Sequence, residues 1–218
     1  MKKGLQKMLI IIISILVCVG VLIGIILPPS SGKLEQFVDA NGAVIKGSVS
    51  EKDFVEINGV QQGMIIKGKD TTKPVMLYLN GGPGIPDYFL SELYPTGLES
   101  EFVVCYWDYR GTALSYNSGS SLEKMTTHQF IDDTIAVTNY LKERFGQKKI
   151  YLLGHSFGTY IGIQAVAKAP ELYHAYIAMS QMTNQSESEK IAEIPCVIIE
   201  RFAVVREMSF SVAFCALS

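Results

Sequence analysis

The pentapeptide Gly154-His155-Ser156-Phe157-Gly158 constrains this chain more than any other stretch of it. It has the pattern G-x-S-x-G, with the apolar run Lys149 to Leu153 before it and a helix-forming stretch from Phe157 to Lys168 after it. A chain that passes from strand to helix in so few residues must turn sharply. The turn holds the serine in a strained backbone conformation, its hydroxyl projecting above the sheet. Glycines two positions before and two after remove Cβ atoms that would clash with neighbouring backbone. The helix that follows brings its N-terminal N–H groups near the serine, where they can stabilise a developing oxyanion. Ser156 is therefore the candidate nucleophile, Gly154 and Gly158 shape its turn, and the N–H of Phe157 is one candidate oxyanion donor. A dinucleotide-binding reading of Gly154, Gly158 and Gly162 fails. The spacing is not G-x-G-x-x-G, and no acidic residue follows about 20 positions on at the tip of the next strand.

The surrounding segments read as a fold of alternating strands and helices. Residues 34–69 carry the hairpin dipeptides Asn41-Gly42 and Asn58-Gly59, the second lying between Phe54–Ile57 and Val60–Ile66. Pro74 to Leu79 is a short apolar strand that ends in Asn80-Gly81-Gly82-Pro83-Gly84. Glu101 to Trp107 is a second, ending in Asp108-Tyr109-Arg110-Gly111. Thr126 to Phe145 reads as a helix: Thr126 and Gln129 fit a capping box, Phe130, Val137, Leu141 and Phe145 share one face, and Gly146 stops it. Lys149–Leu153, Tyr173–Met179 and Pro195–Ile199 supply further strands, and Phe157–Lys168 a helix closed by Pro170. Such alternation predicts an α/β fold with a mostly parallel sheet, flanking helices and right-handed crossovers.

The N-terminus predicts a membrane anchor. Met8 to Leu27 is a stretch of 20 residues without a charge, and a helix of that length spans roughly the 30 Å hydrocarbon core. Lys2, Lys3 and Lys7 precede it and nothing basic follows until Lys33, so the positive-inside bias places the N-terminus in the cytoplasm and the body outside. A cleaved signal peptide fits less well, because the run is long and ends in Leu27-Pro28-Pro29. The expected organisation is an anchor at 1–27, a linker at 28–33, a core at 34–200, and a tail at 201–218 that matches no expected element.

Composition narrows the chemistry. Beyond residue 27 the chain carries 16 basic and 21 acidic groups, a mildly acidic balance with no basic stripe, which excludes a phosphate-tracking nucleic-acid binder. Cys18, Cys105, Cys196 and Cys215 form no C-x-x-C, and His128, His155 and His174 are scattered. Neither a metal site nor a cofactor is implied.

The loop Asn80–Gly84 stands where a second oxyanion donor is needed, and Gly82 is the candidate, with Gly81 and Pro83 supporting it. Together with the elbow it carries a resemblance. Residues 74–84, 101–115 and 149–162 resemble the prolyl iminopeptidase (proline aminopeptidase) group of α/β-hydrolases. That group carries H-G-G-P-G, then D-Q-R-G-x-G-x-S, then G-x-S-x-G. This chain has N-G-G-P-G at 80–84, D-Y-R-G-T-A-L-S at 108–115 and G-H-S-F-G at 154–158, with Asn80 for the usual His and Tyr109 for the usual Gln. The resemblance implies hydrolysis of a peptide or amide bond, at an N-terminal residue, through an acyl-enzyme on Ser156. An esterase or lipase uses the same elbow and loop, and a non-catalytic tethered scaffold is the remaining alternative. The expected partners are a peptide or small acyl substrate and the membrane.

The acid and base are the missing part. In this fold the order is Ser, then Asp or Glu, then His. After Ser156 there is no aspartate and only His174, which opens a strand at the far edge of the sheet. His155 is expected to point away from the serine as a packing residue, and His128 precedes the nucleophile. Glu200 is the only acid at a plausible position. In the resembling group a helical cap follows the strand Tyr173–Met179, whereas about a dozen residues separate Met182 from Pro195 here; the expectation is a deletion together with a truncation or frameshift. Asp108 and Arg110 read as an ion pair bracing the loop, and Asp132 and Asp133 as acids favourable to a helix N-terminus.

Overall fold

The computed structural model describes residues 12–17, 19, 32–117, 125–185 and 187–188, and the backbone of 212–216. The chain divides into two compact units, Met1–Glu35 and Gln36–Ser218. Most of the expected anchor lies outside the described residues. Within it residues 12–17 are helical, and Ile12, Ile13, Ile15, Leu16, Val17 and Val19 are exposed. Among the described residues no helix is long and apolar enough to cross a membrane.

Among the described residues the larger unit is built on a seven-stranded sheet. Its strands are β1 (Val49–Ile57), β2 (Val60–Gly68), β3 (Val75–Leu79), β4 (Val103–Trp107), β5 (Ile150–His155), β6 (Tyr173–Met179) and β7 (Val212–Ala216), in the order β1-β2-β4-β3-β5-β6-β7. β1 and β2 form an antiparallel hairpin in which Ile57 pairs with Val60. Asn58 and Gly59 between them have φ of 48° and 74°, the mirror-image turn whose twist matches the strands it joins. β2 pairs antiparallel with β4. From β4 through β3 and β5 to β6 the pairing is parallel.

Every residue of β3 and β4 is buried, as expected of strands covered on both faces. Leu77, Leu79, Cys105 and Trp107 join the main core with Val137, Leu141 and Ile161. On the opposite face the rings of Tyr78 and Tyr106 meet, and Tyr106 also touches Tyr88. Two short helices, α1 (Tyr88–Leu93) and α2 (Leu98–Glu101), precede β4. Glu101 therefore closes a helix and does not open the strand.

The two longer helices are α3 (Thr127–Phe145) and α4 (Phe157–Lys168). Thr126 caps α3 by accepting the N–H of Gln129 at 3.2 Å. Gln129 does not reach back to Thr126; its side chain donates to Asp133 at 2.8 Å, so half of the expected capping box forms. Gly146, at φ 64° and ψ 27°, ends the helix in the left-handed region.

The far edge of the sheet differs from expectation. The expected strand Pro195–Ile199 lies outside the described residues, as does Glu200. The strand beyond β6 is β7, within the tail, and it runs antiparallel, with Tyr176 opposite Cys215.

Candidate active site

Ser156 stands alone between β5 and α4, with φ 50° and ψ −116°. A non-glycine residue held there costs ~1–3 kcal/mol and persists only when its surroundings over-determine it. They do so from two sides. Its N–H donates to the Met179 carbonyl at 2.9 Å, which ties the turn to the end of β6. Its carbonyl accepts the N–H of Thr159 at 2.8 Å and the Thr159 hydroxyl at 2.6 Å.

The flanking glycines are required by contact. A Cβ on Gly158 would lie 2.2 Å from the Leu79 carbonyl oxygen and 2.9 Å from that of Asn80. One on Gly154 would lie 2.7 Å from the Gly158 carbonyl oxygen. The first turn of α4 is thus pressed onto the end of β3, where the glycine loop begins.

That loop is fixed by buried polar groups. The Asn80 side chain donates to the Trp107 carbonyl at 2.7 Å and accepts the N–H of Asp87 at 3.1 Å. Its backbone carbonyl accepts the Tyr109 hydroxyl at 2.8 Å. Burial raises the Tyr109 phenol well above its ordinary pKa, so it remains a donor. The two departures from the motif, Asn80 and Tyr109, therefore meet in one place. Gly81 abuts the elbow: a Cβ on it would lie 3.5 Å from the Ser156 Cβ. Gly82 has φ 109°, and a Cβ there would lie 2.9 Å from the nitrogens of Gly84 and Ile85. The Gly82–Pro83 peptide is cis. Among the described residues, neither the N–H of Gly82 nor that of Phe157 has a hydrogen-bond partner.

Asp108 and Arg110 do not pair. Arg110 makes a two-pronged bond to Asp133, Nε to Oδ2 at 2.9 Å and Nη2 to Oδ1 at 3.0 Å. Asp133 is fully buried and also accepts from Asn58 at 2.7 Å and Gln62 at 2.9 Å. A carboxylate with five donors is a structural hub; its place near a helix N-terminus is incidental. Asp132 points outward instead and accepts from Lys168 at 2.6 Å. Asp108 accepts the N–H of Leu114 at 3.0 Å, and burial outweighs that bond, pushing its carboxyl up to about 6.

The three histidines occupy unlike places. His155 is not a packing residue: its Nδ1 lies 2.7 Å from Asp87 Oδ2, a pairing across 68 positions that nothing in the local sequence announces. The acid directly behind the glycine loop was the available signal. His174 is the second residue of β6 while Met179, at the other end, holds Ser156; five positions of strand separate them by roughly 17 Å. His128 is exposed, its Nε2 3.9 Å from Asp132. Among the described residues no group of three or more His, Cys, Asp or Glu is placed to hold a metal ion.

Beside the elbow lies a pocket of about 270 Å³ lined by Phe157, Tyr160, Met182, Thr183 and Gln185. Two aromatic rings, a thioether and two neutral polar side chains give it an apolar character. Thr159 holds one wall in place by accepting the Met182 N–H at 2.8 Å.

Comparison with known proteins agrees with this geometry. A protein named probable aminopeptidase YbaC, from Bacillus subtilis (strain 168), is 37% identical over 147 residues, covering 67% of this chain and 46% of that protein. A lysophosphatidylserine lipase, ABHD12 of Gallus gallus, is 32% identical over 125 residues, covering 55% of this chain and 31% of the lipase. Among solved structures, a proline iminopeptidase-related protein from Thermus thermophilus superposes with a TM-score of 0.51 at 25% identity, covering 60% of this chain and 44% of that one. The chain thus spans less than half the length of each of these relatives. The family model described as alpha/beta hydrolase fold matches residues 74–196, from β3 and the glycine loop through the elbow and β6. This chain belongs to the alpha/beta hydrolase fold family.

Proposed function

We propose that this protein is a membrane-anchored serine hydrolase that cleaves acyl bonds through Ser156, with the N–H groups of Gly82 and Phe157 as the oxyanion hole. The observation that carries the reading is the strained Ser156 turn packed against the Asn80–Gly82 loop. The hydroxyl would attack the acyl carbon, the carbonyl oxygen would take up the negative charge facing the two N–H groups, and the leaving group would depart with a proton. Water would then resolve the acyl-enzyme, a sequence common to amide and ester hydrolysis. Preorganised donors of this kind are each worth about 2.7–4 kcal/mol.

An aminopeptidase-like substrate is the preferred reading, supported by the aminopeptidase and iminopeptidase names of two of the relatives. The apolar pocket beside Phe157 favours a second one, an ester with an apolar acyl group, as the lipase relative suggests. A third, a tethered scaffold without turnover, draws on the histidines, since His174 lies toward the end of β6 opposite Met179, which holds Ser156, and the exposed His128 lies beside Asp132. A fluorophosphonate probe tests the core of the proposal. Labelling that disappears in Ser156→Ala supports a hydrolase, and an unlabelled chain supports the scaffold. Parallel assays with a proline-terminated amide and a short-chain ester then separate the two activities.

The anchor belongs to the same proposal. Its support is the uncharged run Met8–Leu27 behind three lysines. Protease added to intact cells should degrade the body; a protected body with a digested N-terminus reverses the orientation.

A further inference from the structure

We infer that Asp87 and His155 form a clamp that fixes the glycine loop against the elbow, and that both are positioning residues for Ser156 chemistry, an inference that rests on the hydrolase reading above. Asp87 is 6% exposed. It occupies the N-cap position of α1 yet makes no side-chain capping bond there, although that is the ordinary local use of an Asp before a helix. Its carboxylate turns toward the elbow. Oδ2 faces His155 Nδ1 at 2.7 Å and accepts the Gly81 N–H at 3.3 Å. Burial and the nearby Asp87 carboxylate together raise the Tyr78 phenol above its ordinary pKa, and the Asp87 N–H reaches back to Asn80 at 3.1 Å. One buried acid thus ties the start of the glycine loop to the residue preceding the nucleophile.

This arrangement has a consequence for the donors. The Gly81 N–H is committed to Asp87, so the next amide, that of Gly82, is the one the loop can offer an oxyanion. The direction of that N–H depends on how the loop is tethered. His155 supplies the tether from the elbow side, because its Nδ1, 2.7 Å from the Asp87 carboxylate, is fixed one residue from Ser156. A buried carboxylate with a charge-assisted partner holds its geometry, whereas one that loses that partner must find another or move. Misplacing an oxyanion donor by about 1 Å costs roughly 100-fold in rate.

The experiment uses the full chain in detergent micelles and compares it with Asp87→Ala, Asp87→Asn, His155→Phe and the Asp87→Ala/His155→Phe double variant. Amide hydrogen exchange is followed at residues 80–88 and, as a folding control, at 130–141. Expected is a rise in exchange of ~10-fold at 80–88 in each single variant, none at 130–141, and no further rise in the double variant. Asp87→Asn keeps the size of the side chain and must move in the same direction if the alanine variant misfolds. Fluorophosphonate labelling gives the second readout: the maximal rate falls roughly 10–100-fold while the half-saturating probe concentration stays put. Exchange and labelling within 2-fold of the unmodified chain, or additive effects in the double variant, overturn the clamp. Failure of the unmodified chain to label through Ser156 overturns the hydrolase reading and, with it, the positioning role.

Discussion

Gly158 and Leu79 set how closely α4 rides on the central strand: a Cβ on the glycine would stand 2.2 Å from the Leu79 carbonyl oxygen. The obstacle is backbone on both sides, so no rotamer relieves it. Gly158→Ala is expected to destabilise the fold by at least ~2–3 kcal/mol. A urea titration followed by Trp107 fluorescence measures this, and a midpoint equal to that of the unmodified chain refutes the packing described for the elbow.

Ser156 itself should show a conflict between stability and activity. Its φ of 50° is unfavourable for any residue with a Cβ. Ser156→Gly releases that strain at some entropic cost, for a net gain of ~1 kcal/mol and a rise in Tm of about 2–4 °C. The same change removes the candidate nucleophile, so fluorophosphonate labelling should vanish as the melting temperature climbs.

The buried pair Arg110–Asp133 should be costly to break from one side. Asp133→Ala leaves a guanidinium that is 3% exposed without its carboxylate, and a loss of about 3–5 kcal/mol is expected. Removing both charges, as Arg110→Met with Asp133→Leu, should recover more than half of that loss. Equilibrium unfolding of the two variants and the unmodified chain decides it, and a double variant worse than Asp133→Ala contradicts the account.

Asp108 makes a pH-dependent contribution of the opposite sign to an ordinary ion-paired carboxylate. Burial raises its folded pKa to about 6 from 3.8, so the folded state holds the proton that the unfolded chain has already released. Stability from this group is present in full below pH ~4 and is lost as pH rises to ~6, by up to about 3 kcal/mol. Asp108→Asn, which can still accept the Leu114 N–H, should flatten that part of the profile. Unfolding midpoints at pH 4.5 and 7.0 test it: the asparagine variant should gain on the unmodified chain at the higher pH.

Local chemistry was readable where one short stretch settles its own conformation. Asn58-Gly59 imposes its turn, G-x-S-x-G needs its two close approaches, and Gly146 ends α3 for want of a Cβ penalty. The limits of Phe157–Lys168 and Tyr173–Met179 followed from apolar runs bounded by breakers. What escaped was long-range polar pairing. Asp133 looks like any acid near a helix start until the fold brings Arg110, Asn58 and Gln62 to it. Asp87 and His155 lie 68 positions apart, and no periodicity records their meeting. β7 was missed for another reason: in the sheet its support comes from β6, which the tail's own composition does not reveal.

The strand order has a consequence for synthesis on the ribosome. β3 lies between β4 and β5, and both follow it in the chain. When Val75–Leu79 emerges, only the β1–β2 hairpin can already have paired. At about 5–20 residues per second, roughly 4–15 s pass before His155 completes the second neighbour. For that interval a strand buried along its whole length has at least one open edge, and it is then that a nascent chain of this design most needs a chaperone.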